Sequence, residues 1–166
     1  MRLSALLFLA AAAFAADPAL RIEGVAGRDG VAKPALNLSL ADIAAMPHTT
    51  LKGKTHDGKE HTFDGIAMSE LLHRAGLPQG EEVRGPILAR YILVSAHDGY
   101  RAVFSLPEFD PAFTDNRALL ADKMDGQPLS ERDGPLRLVI PAEKREARWV
   151  RMVERIEILS APDAVR

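Results

Sequence analysis

The stretch LLADKMDGQPL (Leu119–Leu129) is followed by GPLRLVIP (Gly134–Pro141) and by ARWVRMVERIEI (Ala147–Ile158), and this order of segments decides the fold. The last two segments alternate apolar and polar side chains, which is the pattern of half-buried β-strands. Glycine and proline residues between the segments indicate turns. The chain is therefore predicted to end in short strands that belong to a sheet-rich domain.

Each of the two predicted C-terminal strands has one apolar face. On the first strand, Leu136, Leu138 and Ile140 share that face, and Arg137 between them is predicted to face solvent. The apolar face of the second strand is formed by Val150, Met152, Ile156 and Ile158.

Cap and turn residues predict the elements upstream. Ser39 with Asp42, and Ser105 with Glu108, have the spacing of capping boxes at the start of a helix. Two Asp-Gly pairs suit the tight turns of β-hairpins. The predicted elements are a strand over Leu20–Glu23, a helix over Leu40–Ala45, a hairpin of His48–His56 with Lys59–Phe63, a helix over Met68–Ala75, and a hairpin of Tyr91–Ala96 with Tyr100–Phe104. Short strands outnumber helices, which favours a single β-rich α+β domain.

The N-terminus has the pattern of an export signal. Arg2 forms a short positive region, Leu3–Ala13 is apolar, and Ala13-Phe14-Ala15 is a cleavage motif. The apolar stretch is shorter than the about 20 residues of a membrane span. We expect a signal peptide over residues 1–15, a mature domain over 16–166 with no stable membrane span after cleavage, and a periplasmic location.

Composition excludes several classes of function. The chain of 166 residues has 21 basic and 23 acidic side chains and a net charge of −2, so no nucleic-acid partner is predicted. It has no cysteine, which excludes disulfides, thiol nucleophiles and cysteine-ligated metals. His56 and His61 flank a hairpin turn, but without a third ligand at set spacing they predict no metal site.

The ordered segments resemble the oxidoreductase molybdopterin-binding domain of the sulfite oxidase family. Phe63–Leu72 is similar to the family's segment of an aromatic or acidic residue, Gly-Val, and a Leu-x-x-Leu-Leu run. Leu119–Leu129 and Gly134–Pro141 match its next two motifs, and Arg148–Met152 matches an Arg-x-Val-Lys-Trp-like run. The resemblance implies a mixed-sheet, sulfite-oxidase-type fold, a molybdopterin cofactor and oxidoreductase activity.

Two departures from the family pattern bear on the chemistry. The cysteine that ligates molybdenum in catalytic members, expected on the strand around Thr50–Lys54, is absent. A soft thiolate is what would anchor the metal, and no nearby side chain replaces it. Ala142–Glu146 stands where members carry glycines that let the backbone approach the pterin pyrophosphate. We therefore expect no cysteine-ligated molybdenum.

The predicted ligand site is basic and carries one aromatic ring. Guanidinium groups suit phosphate oxygens because they donate two parallel hydrogen bonds, and an indole stacks on planar rings. The alternative is a set of ordinary solvated charges at a strand end. The predicted cofactor-binding residues are Lys144, Arg145, Arg148, Trp149 and Arg151.

Three functions remain open at this point. The first is a small molybdopterin-dependent oxidoreductase, which the resemblance favours and the missing cysteine opposes. The second is an exported binding module for a pterin-like or other anionic or planar ligand. The third is a scaffold that contacts a periplasmic protein partner through the basic strand end and a loop with Phe109 and Phe113 exposed. We expect ligand binding rather than molybdenum turnover.

Overall fold

The computed structural model describes residues 17–26 and 31–162. The predicted signal peptide lies outside the described residues. No helix within them is long and apolar enough to cross a membrane.

Strands dominate the described part of the chain, as predicted. The strands are β1 (Leu20–Glu23), β2 (Leu36–Leu38), β3 (Thr49–Lys54), β4 (Glu60–Ala67), β5 (Arg90–Ala96), β6 (Arg101–Ser105), β7 (Leu119–Met124), β8 (Gln127–Pro128), β9 (Arg137–Val139) and β10 (Val153–Ser160). The α-helices are α1 (Leu40–Ala45) and α2 (Met68–Arg74). Single 3-10 turns cover Gly80–Glu82, Gly85–Ala89, Leu106–Phe109 and Glu146–Arg148.

The strands form two sheets of five strands each within the described residues. The first has the order β2-β1-β10-β5-β6, in which β1 and β10 run parallel and the other neighbours run antiparallel. The second has the order β3-β4-β7-β8, with β9 also paired to β7, and is antiparallel throughout. The expected mixed-sheet architecture is confirmed.

One hydrophobic cluster draws on both sheets. Ile22 and Ile156, which pair across β1 and β10, are fully buried, as are Phe63 and Leu120 in the second sheet. Helix α2 adds its apolar face through Leu71 and its neighbours. Because a single cluster contains these side chains, the described residues form one domain.

Local signals predicted the short helices well. The backbone N–H of Asp42 donates to Ser39 Oγ at 3.1 Å, and the N–H of Ser39 donates to Asp42 Oδ2 at 2.8 Å, which completes the capping box of α1. Ser105 and Glu108 form a second box before a 3-10 turn. Both predicted caps are confirmed.

The predicted faces of the two C-terminal strands are correct in part. The predicted apolar residues are buried except Met152, which is half-buried, but Arg137 was wrongly assigned to solvent. Arg137 is only 3% exposed, because both faces of β9 are covered. In the last strand, β10 begins at Val153, which is buried, and its register shifts between Val153 and Arg155. Met152 precedes the strand with a positive φ of 49°. A bulge adds one residue and moves the following side chains to the other face, so strict alternation from Val150 does not hold.

His48 connects the end of the α1 loop to the second sheet. Its Nδ1 lies 2.8 Å from the carbonyl oxygen of Met46, and its Nε2 lies 3.2 Å from Asp122 Oδ2. Burial, the largest influence, lowers the pKa of His48. The bonds to Met46 and Asp122 and the charges of Asp122 and Asp64 outweigh it, so that the pKa is raised overall.

A raised pKa means that the charged form of His48 stabilises the folded state below the unfolded pKa, and that this contribution disappears as the pH rises through the folded pKa. We expect His48→Gln to cost about 1 kcal/mol near pH 5.5, the worth of one partly buried hydrogen bond, and less near pH 8.5. Urea unfolding of both proteins at the two pH values measures this difference. An equal cost at both would contradict the assignment.

Candidate functional site

A buried guanidinium lies at the base of a surface cleft. Arg137 reaches the cleft from β9, and its Nη2 lies 2.6 Å from Glu146 Oε2, while its Nη1 lies 3.5 Å from Asp133 Oδ1. Burial, the largest influence, and the nearby Arg151 lower the pKa of Arg137, and the two carboxylates oppose them. An arginine remains charged even so. The base of the cleft is thus a guanidinium held in a fixed position by two carboxylates.

Two polar atoms at this base have no hydrogen-bond partner among the described residues. They are Arg137 Nε and Glu146 Oε1, and both atoms are buried. A buried donor without a partner costs about 1–3 kcal/mol. Such an atom in a cleft therefore suits a ligand that can accept its hydrogen bond.

The cleft encloses about 260 Å³ between the β3–β4 turn and the segment around β9. The turn contributes His56 and Asp57 to its wall, and β4 contributes His61. Arg151, on the opposite side, places Nε 3.1 Å from Asp133 Oδ1, so that Arg151 and Arg137 share one carboxylate.

A wider depression of about 760 Å³ continues from the cleft. The two share Thr55, His56 and Glu146 in their walls. The wider depression is lined by three basic residues, Lys54, Lys144 and Arg145. Six arginine and lysine side chains and four carboxylates line the two together, which leaves two positive charges in excess when the histidines are neutral. The surrounding chain is negative, so this excess is local.

The structure separates the five predicted ligand-binding residues. Arg151 lines the inner cleft, and Lys144 and Arg145 are exposed in the wider depression. Arg148 lies elsewhere, with its guanidinium 4.6 Å from the Phe104 ring centroid and ion pairs to two glutamates, one of them Glu108 at 3.1 Å. Its charge is already compensated, and its second partner, Glu143, lines the wider depression.

Trp149 does not present its ring for stacking in the way the sequence suggested. Trp149 is only 4% exposed, and its Nε1 donates to the carbonyl oxygen of Ile140 at 3.0 Å. The ring meets Phe63 edge to face, with centroids 5.8 Å apart. Its rim reaches a small depression of about 250 Å³ beside Tyr100, whose hydroxyl donates to the carbonyl oxygen of Ala147.

Sequence reasoning missed the residues that organise the cleft. Arg137 was assigned to solvent, and Asp133 and Glu146 were not considered as its partners. The available signal was a lone charge inside the apolar run LRLVI, since a buried charge requires partners. The predicted phenylalanine surface is half present, because Phe113 is 48% exposed and Phe109 is buried at 5%.

Comparison with known proteins agrees with this fold. The family model of the oxidoreductase molybdopterin-binding domain matches residues 19–165. The crystal structure of the sulfane dehydrogenase SoxCD from Paracoccus pantotrophus superposes with a TM-score of 0.61 at 20% identity, over 84% of this chain and 37% of that one. The chain therefore spans less than half of that longer chain. No curated protein sequence matches.

The residues present do not fit a cysteine-ligated molybdenum group. On β3, where the thiolate was expected, Gly53 is the buried residue, and a Cβ built there would lie 2.7 Å from Trp149 Cη2. Nor does any group of three or more His, Asp or Glu side chains in the described residues have the geometry to hold a metal ion. Both the donor and the space for it are lacking.

Arg137→Met should destabilise the fold by about 3–5 kcal/mol, because it leaves two carboxylates at the cleft base without their buried partner. Arg148→Met is the matched control. Its side chain is 40% exposed and should cost about 1 kcal/mol or less. Urea unfolding measures both, and an equal loss in the two variants would show that Arg137 does not organise the cleft.

Proposed function

Because the chain belongs to the family of the oxidoreductase molybdopterin-binding domain, we propose that it is an exported member that binds a small anionic or planar ligand without cysteine-ligated molybdenum. The ligand binds in the inner cleft and the wider depression beside it. The observation that supports this most strongly is the buried cation Arg137, whose Nε lacks a partner among the described residues at the base of the cleft. The wider depression beside it adds three basic side chains and one further carboxylate.

The chemistry of the cleft favours an oxyanion. Arg151 lines the cleft, and Arg132 is exposed in the same wall with no ion-pair partner among the described residues. Guanidinium groups donate paired hydrogen bonds to carboxylate and phosphate oxygens, which are stronger than bonds between neutral groups. Arg137, held by two carboxylates, supplies a fixed charge beneath them.

The wider depression favours a ligand larger than a simple ion. Its volume of about 760 Å³ lies in the range of small-molecule sites. Lys144 and Arg145 stand at its rim with exposed side chains. A planar molecule with a carboxylate or phosphate group would place the anion over the arginines and its ring in the depression. Pterin-6-carboxylate and inorganic pyrophosphate represent the two parts of such a ligand.

Isothermal titration calorimetry of the purified full chain with each probe tests the proposal. We expect saturable binding, and we expect Arg151→Gln to weaken it at least about tenfold, because a charge-assisted hydrogen bond is worth about 1.5–3 kcal/mol. The control is Arg74→Gln. It removes the same charge from helix α2, where Arg74 pairs with Glu70 and lines neither the cleft nor the depression, and it should leave the affinity unchanged.

Two results would contradict the proposal. One is the absence of saturable heat with either probe at millimolar concentration. The other is an equal loss of affinity in the Arg151 and Arg74 variants, which would indicate a response to net charge rather than to the cleft.

Export is the second part of the proposal, and it rests on the signal pattern at residues 1–15. When the full gene product is expressed in a Gram-negative host, the protein should be recovered from the periplasmic fraction with a mass that begins at Ala16. A cytoplasmic protein of full-length mass would contradict export and would leave the ligand-binding proposal standing.

A further inference from the structure

We propose that Trp149 is the residue that closes this domain to a metal-bearing pterin, and that Gly53 and Trp149 are a matched pair in which the indole occupies the space of the missing ligand side chain. The proposal concerns the interior beside β3. It goes beyond the ligand binding proposed for the inner cleft and the wider depression, and that binding does not depend on Trp149.

Gly53 is the position on β3 from which a ligand would point inward. Thr50, Lys52 and Lys54 are exposed on the other face of the strand, whereas Gly53 is buried. A Cβ at Gly53 would meet Trp149 Cη2 at 2.7 Å and Phe63 Cε2 at 3.3 Å. The first distance is shorter than real Cβ contacts, so any side chain at this position requires the indole to move.

The indole is not free to move aside. Its Nε1 is bonded to the carbonyl oxygen of Ile140. Its ring packs against Phe63 with an interplanar angle of 86°, and the Arg137 guanidinium lies 5.6 Å from its centroid. A buried ring held by a hydrogen bond, an edge-to-face contact and a cation is part of the core rather than a lid.

Trp149 connects the cleft to the interior face of β3. The 3-10 turn Glu146–Arg148 ends just before it, and Glu146 and Arg151 on either side both line the inner cleft. Its ring lies where a side chain at position 53 would have to fit, so that side chain and any group bound to it would need the volume of the indole. A ligand in the cleft, by contrast, leaves the indole in place.

The two residues compensate each other in volume. A side chain added at position 53 overfills the interior, and a small residue at position 149 leaves a cavity beside Gly53. Gly53→Cys and Trp149→Ser should each lower the melting temperature. The combined variant should recover part of the loss, since residues in contact are not additive.

The test is the molybdenum and pterin content of the full chain, made in a host that synthesises the cofactor. Molybdenum is counted by mass spectrometry and pterin by fluorescence after oxidation. The wild type and the single variants should carry no molybdenum above background, whereas pterin without molybdenum would report binding in the inner cleft and the wider depression. Gly53→Cys combined with Trp149→Ser should carry at least about tenfold more molybdenum than the wild type, because a soft thiolate then faces an open space.

Thr50→Cys is the control for adventitious binding, since it places a thiol on the exposed face of the same strand. It should carry no more molybdenum than the wild type. Stoichiometric molybdenum in the wild type would overturn the proposal, and so would a combined variant that folds cooperatively and takes up none. Neither result affects the calorimetric titration of the inner cleft and the wider depression, so either proposal can be wrong while the other stands.

Discussion

The ionic interaction of Arg137 with Asp133 and Glu146 is the constraint on which the site depends. A guanidinium that loses its water costs several kcal/mol unless carboxylates compensate it at close range. Asp133 precedes β9 and Glu146 follows it, so both must return to the same end of the strand. The loop before β9 and the 3-10 turn after it are positioned by this requirement. Arg151 joins them because it shares the Asp133 carboxylate.

Aromatic rings cover the same guanidinium from the interior. The Arg137 guanidinium lies 5.7 Å from the Phe63 centroid and 5.6 Å from that of Trp149. Such cation–π contacts stabilise the fold more strongly when the cation is desolvated. The indole reaches this position only because Gly53 on β3 has no side chain. The charge on β9, the ring after the 3-10 turn and the glycine on β3 therefore form one packing unit.

Structural features could be predicted from the sequence when the residues that determine them lie close together in the chain. The capping boxes at Ser39 and Ser105 and the hairpin turns were predicted correctly, because their determinants lie within a few residues. The family resemblance supplied the fold. Alternation failed at Arg137, since it assumes that one strand face meets water, and it failed after Val150, since a bulge shifts the register. Both failures come from contacts distant in sequence.

The candidate site was predicted in part for the same reason. A basic run followed by a tryptophan indicates an anion site, but the sequence does not show which charges are already paired. Arg148 is paired at a distance from the cleft, and Trp149 is turned inward. The remaining charges are held before any ligand arrives, because the ion pairs of Arg137 fix its position. A ligand bound there would lose little free energy in ordering the protein, which is the advantage of a preorganised site. The packing that fills the interior with the Trp149 indole therefore also holds the Arg137 guanidinium in a fixed position at the base of the inner cleft.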